Sequence, residues 1–219
     1  MALVISEVLS LPEIEALREE IAQMPFGDGA ATAGRHAREV KANDQAAPSP
    51  ALDAVRSKIT ASLRQNPLFV SAARPQHITP LILSRYRTGQ TYGNHVDDAI
   101  MRGLRTDLSF TLFLSDPDGY DGGALVIEDQ LEAREIKLNP GELILYPSTS
   151  LHRVAPVTRG ERLAAVGWVQ SWIRSAEQRE ILFDLDRTID TLFATTGKTD
   201  VFDTLTKTRS NLLRLWAGA

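Results

Sequence analysis

The chain has no cysteine in its 219 residues. Disulfides, thiolate metal sites and cysteine nucleophiles are therefore excluded, and a reducing compartment fits. Neither sign of charge dominates. Against 28 acidic residues stand 24 basic ones, a formal net charge of -4 that leaves no electrostatic footprint for nucleic acid or an anionic membrane. No apolar run approaches the length of a spanning helix, and Met1-Ala2-Leu3-Val4-Ile5-Ser6-Glu7 has no basic region ahead of a long apolar stretch. A cytoplasmic protein without nucleic-acid or membrane partners is expected. Histidine is scarce, with four residues, so few sets of imidazole ligands are available.

The length suits one packed domain with appended segments. Residues 3–9 read as a short apolar strand. Ser10-Leu11-Pro12-Glu13 matches a capping box, and Ile14, Leu17, Ile21 and Met24 follow at helical spacing, predicting a helix over about 11–24. Residues 25–49 are rich in Gly, Ala and Asp and read as a long loop, functional or mobile. Ser49-Pro50 opens a second helix with Leu52, Val55, Ile59 and Leu63 as its stripe, stopped by Asn66-Pro67. From His77 the texture changes to strands: Ile78–Arg87, then Leu108, Phe110, Leu112 and Leu114 at alternate positions. Further strands read at 124–127, 134–138, 142–146, 152–154 and 163–172, separated by turn signals such as Asn139-Pro140-Gly141. Strands this numerous without intervening helices predict an antiparallel sandwich or jelly-roll. After Ser175-Ala176-Glu177-Gln178, another capping box, Ile181, Leu182, Leu185, Ile189 and Leu192 return to helical spacing, and a last helix spans about 200–216. The reading is α+β: an N-terminal helical and loop segment over 1–76, a jelly-roll core over 77–174 and a C-terminal helical segment over 175–219. The apolar stripes of the C-terminal helices need a partner, so a lid or a homo-oligomer interface is expected of them.

The candidate chemistry centres on His95-Val96-Asp97. Side chains at i and i+2 of an extended backbone point to one face, so an imidazole and a carboxylate converge. Two His and one carboxylate on one face of a metal suit non-haem Fe(II), which must also hold a substrate and dioxygen. The triplet alone recurs by chance in roughly one chain in five of this length, so the second histidine decides its worth. His152 begins a strand late in the β region and is the candidate. Arg162, ten positions on, offers the two parallel hydrogen bonds that suit a carboxylate, with Arg159 and Arg153 as rivals. The bland alternatives are a hydrogen-bonded His–Asp pair and a turn arginine beside Glu161. His36 reads as a surface histidine and His77 as structural. Asp98 points away from the face shared by His95 and Asp97. Trp168 and Trp172 read as core, and Asp184 and Asp186 as a solvated helix face.

Longer stretches carry a family resemblance. Tyr86, Gly89, Tyr92, His95 and Asp97, then His152 and Arg162, are spaced as in the Fe(II)/2-oxoglutarate dioxygenases of the prolyl 4-hydroxylase type. The chain resembles the bacterial PKHD-type hydroxylases more closely still. It does so in Tyr92-Gly93-Asn94-His95-Val96-Asp97-Asp98-Ala99-Ile100-Met101, Arg105-Thr106-Asp107-Leu108-Ser109 and Thr111-Leu112-Phe113-Leu114-Ser115-Asp116-Pro117. The likeness continues in Tyr120-Asp121-Gly122-Gly123, Leu145-Tyr146-Pro147-Ser148, Leu151-His152-Arg153-Val154 and Pro156-Val157-Thr158-Arg159-Gly160-Glu161-Arg162. Early-loop matches are Ala31-Thr32-Ala33-Gly34 and Val40-Lys41.

The resemblance implies a double-stranded β-helix fold with His95, Asp97 and His152 as iron ligands. It implies Arg162 as the anchor for the far carboxylate of 2-oxoglutarate, with Tyr86 as a hydrogen-bond donor to it. The implied reaction consumes dioxygen and 2-oxoglutarate, releases succinate and carbon dioxide, and hydroxylates a small molecule or a peptide, with L-ascorbate as a reductant for the iron. The family is associated with bacterial iron uptake. Two other readings compete: a non-catalytic cupin-like module that binds or senses a metal or small molecule, and a Zn(II) or Mn(II) hydrolase or isomerase.

Overall fold

Ser49 illustrates how the chain starts its helices. Its hydroxyl accepts the backbone N–H of Leu52 at 3.1 Å, with Pro50 in the first turn. The structure, a computed structural model, describes residues 2–32, 34, 36–128 and 132–218. Ala33 and Arg35 of the early loop lie outside the described residues.

The N-terminal third builds a helical layer. After β1 (Leu3–Ile5), α1 (Leu11–Ala22) opens where the Glu13 carboxylate takes both the N–H and the hydroxyl of Ser10, at 2.7 and 2.6 Å. β2 (Phe26–Asp28), β3 (Lys41–Ala42) and β4 (Asp44–Ala46) precede α2 (Pro50–Gln65) and α3 (Pro67–Ala73). Asn66 ends α2 and caps α3, accepting the Phe69 N–H at 2.9 Å. The strand region then runs β5 (Pro75–Ile78), β6 (Ile82–Arg87), β7 (Thr91–His95), β8 (Ile100–Met101), β9 (Leu104–Arg105) and β10 (Leu108–Phe113). It continues through β11 (Tyr120–Gly122), β12 (Leu125–Glu128), β13 (Ala133–Ile136), β14 (Leu143–Pro147), β15 (His152–Val154) and β16 (Val157–Ser171). α4 (Ala176–Thr196) and α5 (Asp200–Trp216) close the chain.

Two antiparallel sheets face each other. The larger runs β1-β14-β10-β16-β6-β4-β2, with β5 and β11 also paired to β16; the smaller runs β13-β12-β15-β7-β3. Period-two alternation sorts their side chains. Leu108, Phe110 and Leu112 of β10, Leu143 and Leu145 of β14, and Leu163, Ala165 and Val169 of β16 join Leu52, Val55, Ile59 and Leu63 of α2 in the main core. The intervening residues face the smaller sheet, where Tyr86, Phe113, Ile144, Tyr146, Leu125 and Val154 form a second apolar cluster. Each fully buried aliphatic side chain adds roughly 1.5–3 kcal/mol to the fold. The interior of the sandwich thus differs from its helix-covered back.

The expected helices and strands are present, with informative departures. The early stretch is more ordered than a loop: β4 hydrogen-bonds to β6 and extends the larger sheet, and β3 adds an edge to the smaller one beside β7. Their pairing partners in β6 and β7 lie far downstream, Asp44 opposite Arg85 and Lys41 opposite Tyr92, beyond the reach of local pattern. The helix α3 was missing from the sequence reading because Asn66-Pro67 signals both a stop and a start. The run 78–87 breaks at Thr79-Pro80-Leu81 into two strands, and β16 begins six residues earlier than expected, so Arg162 sits within it. Asp184 is exposed as expected, but Asp186 is buried. Asp186 accepts hydrogen bonds from Ser71 (2.6 Å), Arg74 (2.7 Å) and Arg209, tying α4 to α3 and α5. Helical periodicity sees only neighbours three or four apart, so it could not anticipate these. Ile181, expected in the apolar stripe of α4, is exposed, and Phe183 takes its place in the core.

Candidate active site

β7 and β15 are neighbours in the smaller sheet, and their register puts His95 directly opposite His152. Asp97 follows two residues past the end of β7. The His95 Nε2 lies 3.9 Å from one Asp97 oxygen and the His152 Nε2 3.8 Å from the other. One ligand atom from each residue falls within 4.8 Å of the other two, the one such group of His, Cys, Asp or Glu among the described residues. Asp98 is outside it. All three side chains are at most 8% exposed.

Each histidine is oriented by a backbone carbonyl two residues upstream. His95 Nδ1 lies 2.8 Å from the Gly93 carbonyl, and His152 Nδ1 lies 3.0 Å from the Ser150 carbonyl. A carbonyl only accepts, so each Nδ1 carries a proton and each Nε2 faces the Asp97 carboxylate. Burial, and then the nearness of His152, lowers the His95 pKa to about 4, so its ring is neutral. His95 also stacks on Tyr92 with ring centroids 3.6 Å apart, and Lys41 Nζ sits 4.8 Å above the Tyr92 ring. Burial lowers the Lys41 pKa to about 8, against the pull of Asp97 and Asp28. Lys41 is brought to the site by a short 3-10 turn, Ala37–Val40, that packs on β7. A Cβ on Gly93 would meet Val40 Cβ at 2.8 Å, so only glycine permits that approach.

The triad opens into a cavity of about 460 Å³ between the sheets. Arg162, 1% exposed, lines it from the larger sheet, paired in register with Tyr86. Its guanidinium lies 5.3 and 5.2 Å from the Tyr86 and Phe113 ring centroids, and its Nε has no hydrogen-bond partner. No carboxylate among the described residues pairs with it. Burial raises the Tyr86 pKa, while Arg162 and the polar groups of Ser84 and Asn43 pull it partly back. The rival Arg159 is at the surface, in a bidentate pair with Asp121 at 2.7 and 3.1 Å. His36 and His77 are exposed and away from the triad. No residue of α4 or α5 lines the cavity, so these helices do not form the expected lid.

Trp168 is buried as expected, 8% exposed, and it also lines the cavity, its indole N–H without a hydrogen-bond partner among the described residues. Trp172, expected in the core, is 48% exposed, one residue past the end of β16. The signal for Trp168 was present: it shares the parity of Arg162 and Val166 on one strand. Ser109, whose hydroxyl donates to Asp97 Oδ2 at 2.6 Å, was passed over as merely the polar half of an alternating strand.

A facing pair of sheets with two histidines and a carboxylate at its mouth is an oxygenase architecture, and residues 81–170 match the 2OG-Fe(II) oxygenase superfamily. Solved structures with this fold include a Pseudomonas putida prolyl-4-hydroxylase, at TM-score 0.54 and 20% identity, covering 78% of this chain and 92% of that one. HygX from Streptomyces hygroscopicus, solved with nickel and 2-oxoglutarate, aligns at TM-score 0.58 and 14% identity over 78% and 84% of the two chains. Residues 177–218 match the PKHD-type hydroxylase C-terminal domain. A PKHD-type hydroxylase of Maricaulis maris is 50% identical over 99% of both chains, and one of Picosynechococcus sp. 49% identical over 97% and 98%. The chain belongs to the PKHD-type hydroxylase family, and it is an Fe(II)- and 2-oxoglutarate-dependent dioxygenase.

Proposed function

We propose that His95, Asp97 and His152 hold the Fe(II), and that Arg162, with Tyr86 beside it, binds the far carboxylate of 2-oxoglutarate. The buried guanidinium of Arg162 carries this reading. A cation removed from water without an anionic partner costs several kcal/mol, and a dicarboxylate in the cavity would offset that cost. The donor set fits the metal: two imidazole nitrogens and a carboxylate oxygen leave room for three further ligands on an octahedral ion. When bound, the iron supplies the oxygen chemistry that converts 2-oxoglutarate to succinate and carbon dioxide and hydroxylates a C–H bond. The chain's own residues bind and orient. Arg162 and Tyr86 fix one end of the co-substrate, the Nδ1–carbonyl bonds fix the tautomers, and the apolar wall of Leu125, Val154 and Val166 excludes water.

The substrate is a small molecule or a peptide side chain. Lys41 and Arg102 line the cavity with no bonded carboxylate among the described residues, which favours a substrate rich in acceptors. The role in iron uptake that the family resemblance implies makes an iron-chelating small molecule the first to assay, with L-ascorbate as reductant. We also propose the division into segments 1–76, 77–174 and 175–219, supported by family matches that fall within the second and third.

The test is anaerobic reconstitution with Fe(II) and 2-oxoglutarate. Wild type should develop a visible metal-to-ligand charge-transfer band that His152→Ala lacks. Metal uptake without a band would favour the cupin-like binding module.

A further inference from the structure

Of the three proposed ligands, Asp97 has no strand to hold it, since β7 ends at His95. Each histidine is tied by a carbonyl two residues upstream. The support for Asp97 comes from the opposite sheet. Ser109, in β10, has its side chain on the interior face between Leu108 and Phe110, which point to the helices, and it is fully buried. Its hydroxyl donates to Asp97 Oδ2 at 2.6 Å and lies 2.8 Å from the hydroxyl of Ser148, itself 3% exposed. A carboxylate only accepts and a serine hydroxyl has one proton, so the Ser109 proton is committed to Asp97. Ser148 must then donate to Ser109. Ser148 is held in turn by its backbone N–H on the Asp107 carbonyl at 3.2 Å. The first link is as short as a charge-assisted O–H···O⁻ bond.

We propose that Ser148 and Ser109 form a two-hydroxyl relay that fixes the Asp97 carboxylate as a one-oxygen metal ligand. Without it, the carboxylate rotates about its own bond, and both oxygens compete for the ion. With Oδ2 occupied by Ser109, Oδ1 is presented beside His95 Nε2. The relay also joins the two sheets at the metal, because Ser109 belongs to the larger and Asp97 follows a strand of the smaller. These are positioning residues, and the inference rests on the reading of His95, Asp97 and His152 as the metal site.

The test needs no turnover. Binding of Mn(II) alone, followed by the electron paramagnetic resonance of the free ion, is measured for wild type, Ser109→Ala, Ser109→Thr, Ser148→Ala and the double alanine variant. Loss of such an outer contact weakens metal binding by about 10- to 100-fold, and that is expected for Ser109→Ala. Ser109→Thr, which keeps the hydroxyl, should restore most of the affinity. Ser148→Ala should lose less, and the double variant should bind no more weakly than Ser109→Ala, because one broken link interrupts the relay. Melting of the metal-free proteins should be unchanged. Mn(II) binding by Ser109→Ala within twofold of wild type overturns the relay, and so do losses that add in the double variant. If Ser109→Ala does not fold, Ser148→Ala decides alone: weaker Mn(II) binding with unchanged melting supports the relay, and unchanged binding overturns it. A wild type that takes up no Mn(II) overturns the metal-site reading, and the relay falls with it.

Discussion

One strand, β16, presents two opposite solutions to being buried. On its back, Leu163, Ala165, Gly167 and Val169 pack into the helix-covered core. On its front, Arg162, Val166 and Trp168 line the cavity, with buried nitrogens of Arg162 and Trp168 that have no hydrogen-bond partner. The back is packed by the chain itself, whereas the front carries two buried nitrogens without a partner among the described residues. Buried polar groups are normally paired, and this contrast is what the proposed co-substrate site would explain.

Substitutions on the two faces should therefore separate binding from stability. The largest effect is expected on the front. Arg162→Met should weaken 2-oxoglutarate binding by on the order of a hundredfold or more, with metal uptake intact, since a buried charge would lose its partner. Melting of the metal-free protein should stay level or rise, because an uncompensated buried cation has gone. A fall in melting temperature without loss of co-substrate binding would reverse the assignment of the faces. On the back, a Cβ at Gly167 would approach Phe110 and Leu81 to 2.5 and 2.6 Å. Gly167→Ala should cost about 1–3 kcal/mol and lower the melting temperature by several degrees, with co-substrate affinity unchanged. Calorimetry and titration on the same sample separate the two.

Acid offers a third contrast. The His95 pKa is lowered in the fold, to about 4 from 6.5, so the unfolded chain binds more protons between those values. Its contribution to stability is complete above pH 6.5 and is lost as the pH falls towards 4, up to about 3 kcal/mol in the metal-free protein. His95→Gln should flatten the melting profile in that window, and an unchanged profile would argue against a buried neutral ring. The smallest effect is expected far from both faces. Helix α5 buries no residue, and Val201 and Leu215 are 61% and 72% exposed. If a second copy covers them, Leu215→Glu should lower the mass in solution while leaving metal and 2-oxoglutarate binding alone; wild type of monomeric mass would end that expectation.

The division of faces also explains what was legible in the sequence. Alternation revealed the strands, and the triplet His95-Val96-Asp97 stood out because i and i+2 converge on an extended backbone, with His152 opening a later strand and Arg162 ten positions on. Local pattern stopped where meaning depended on distant chain. Asp186 looked solvated because Arg74 and Arg209 reach it from other helices. The early stretch looked like loop because β4 takes its hydrogen bonds from β6. Trp172 was misassigned for a different reason. Its spacing from Trp168 suggested a shared buried face, whereas β16 ends at Ser171 and Trp172 is exposed.

The bonds from His95 Nδ1 to Gly93 and from His152 Nδ1 to Ser150 carry one more consequence. Each ring already has its Nδ1 on a carbonyl and its Nε2 turned inward, and His95 is already neutral well below physiological pH. An arriving ion therefore displaces no proton from His95 at neutral pH and requires neither ring to turn.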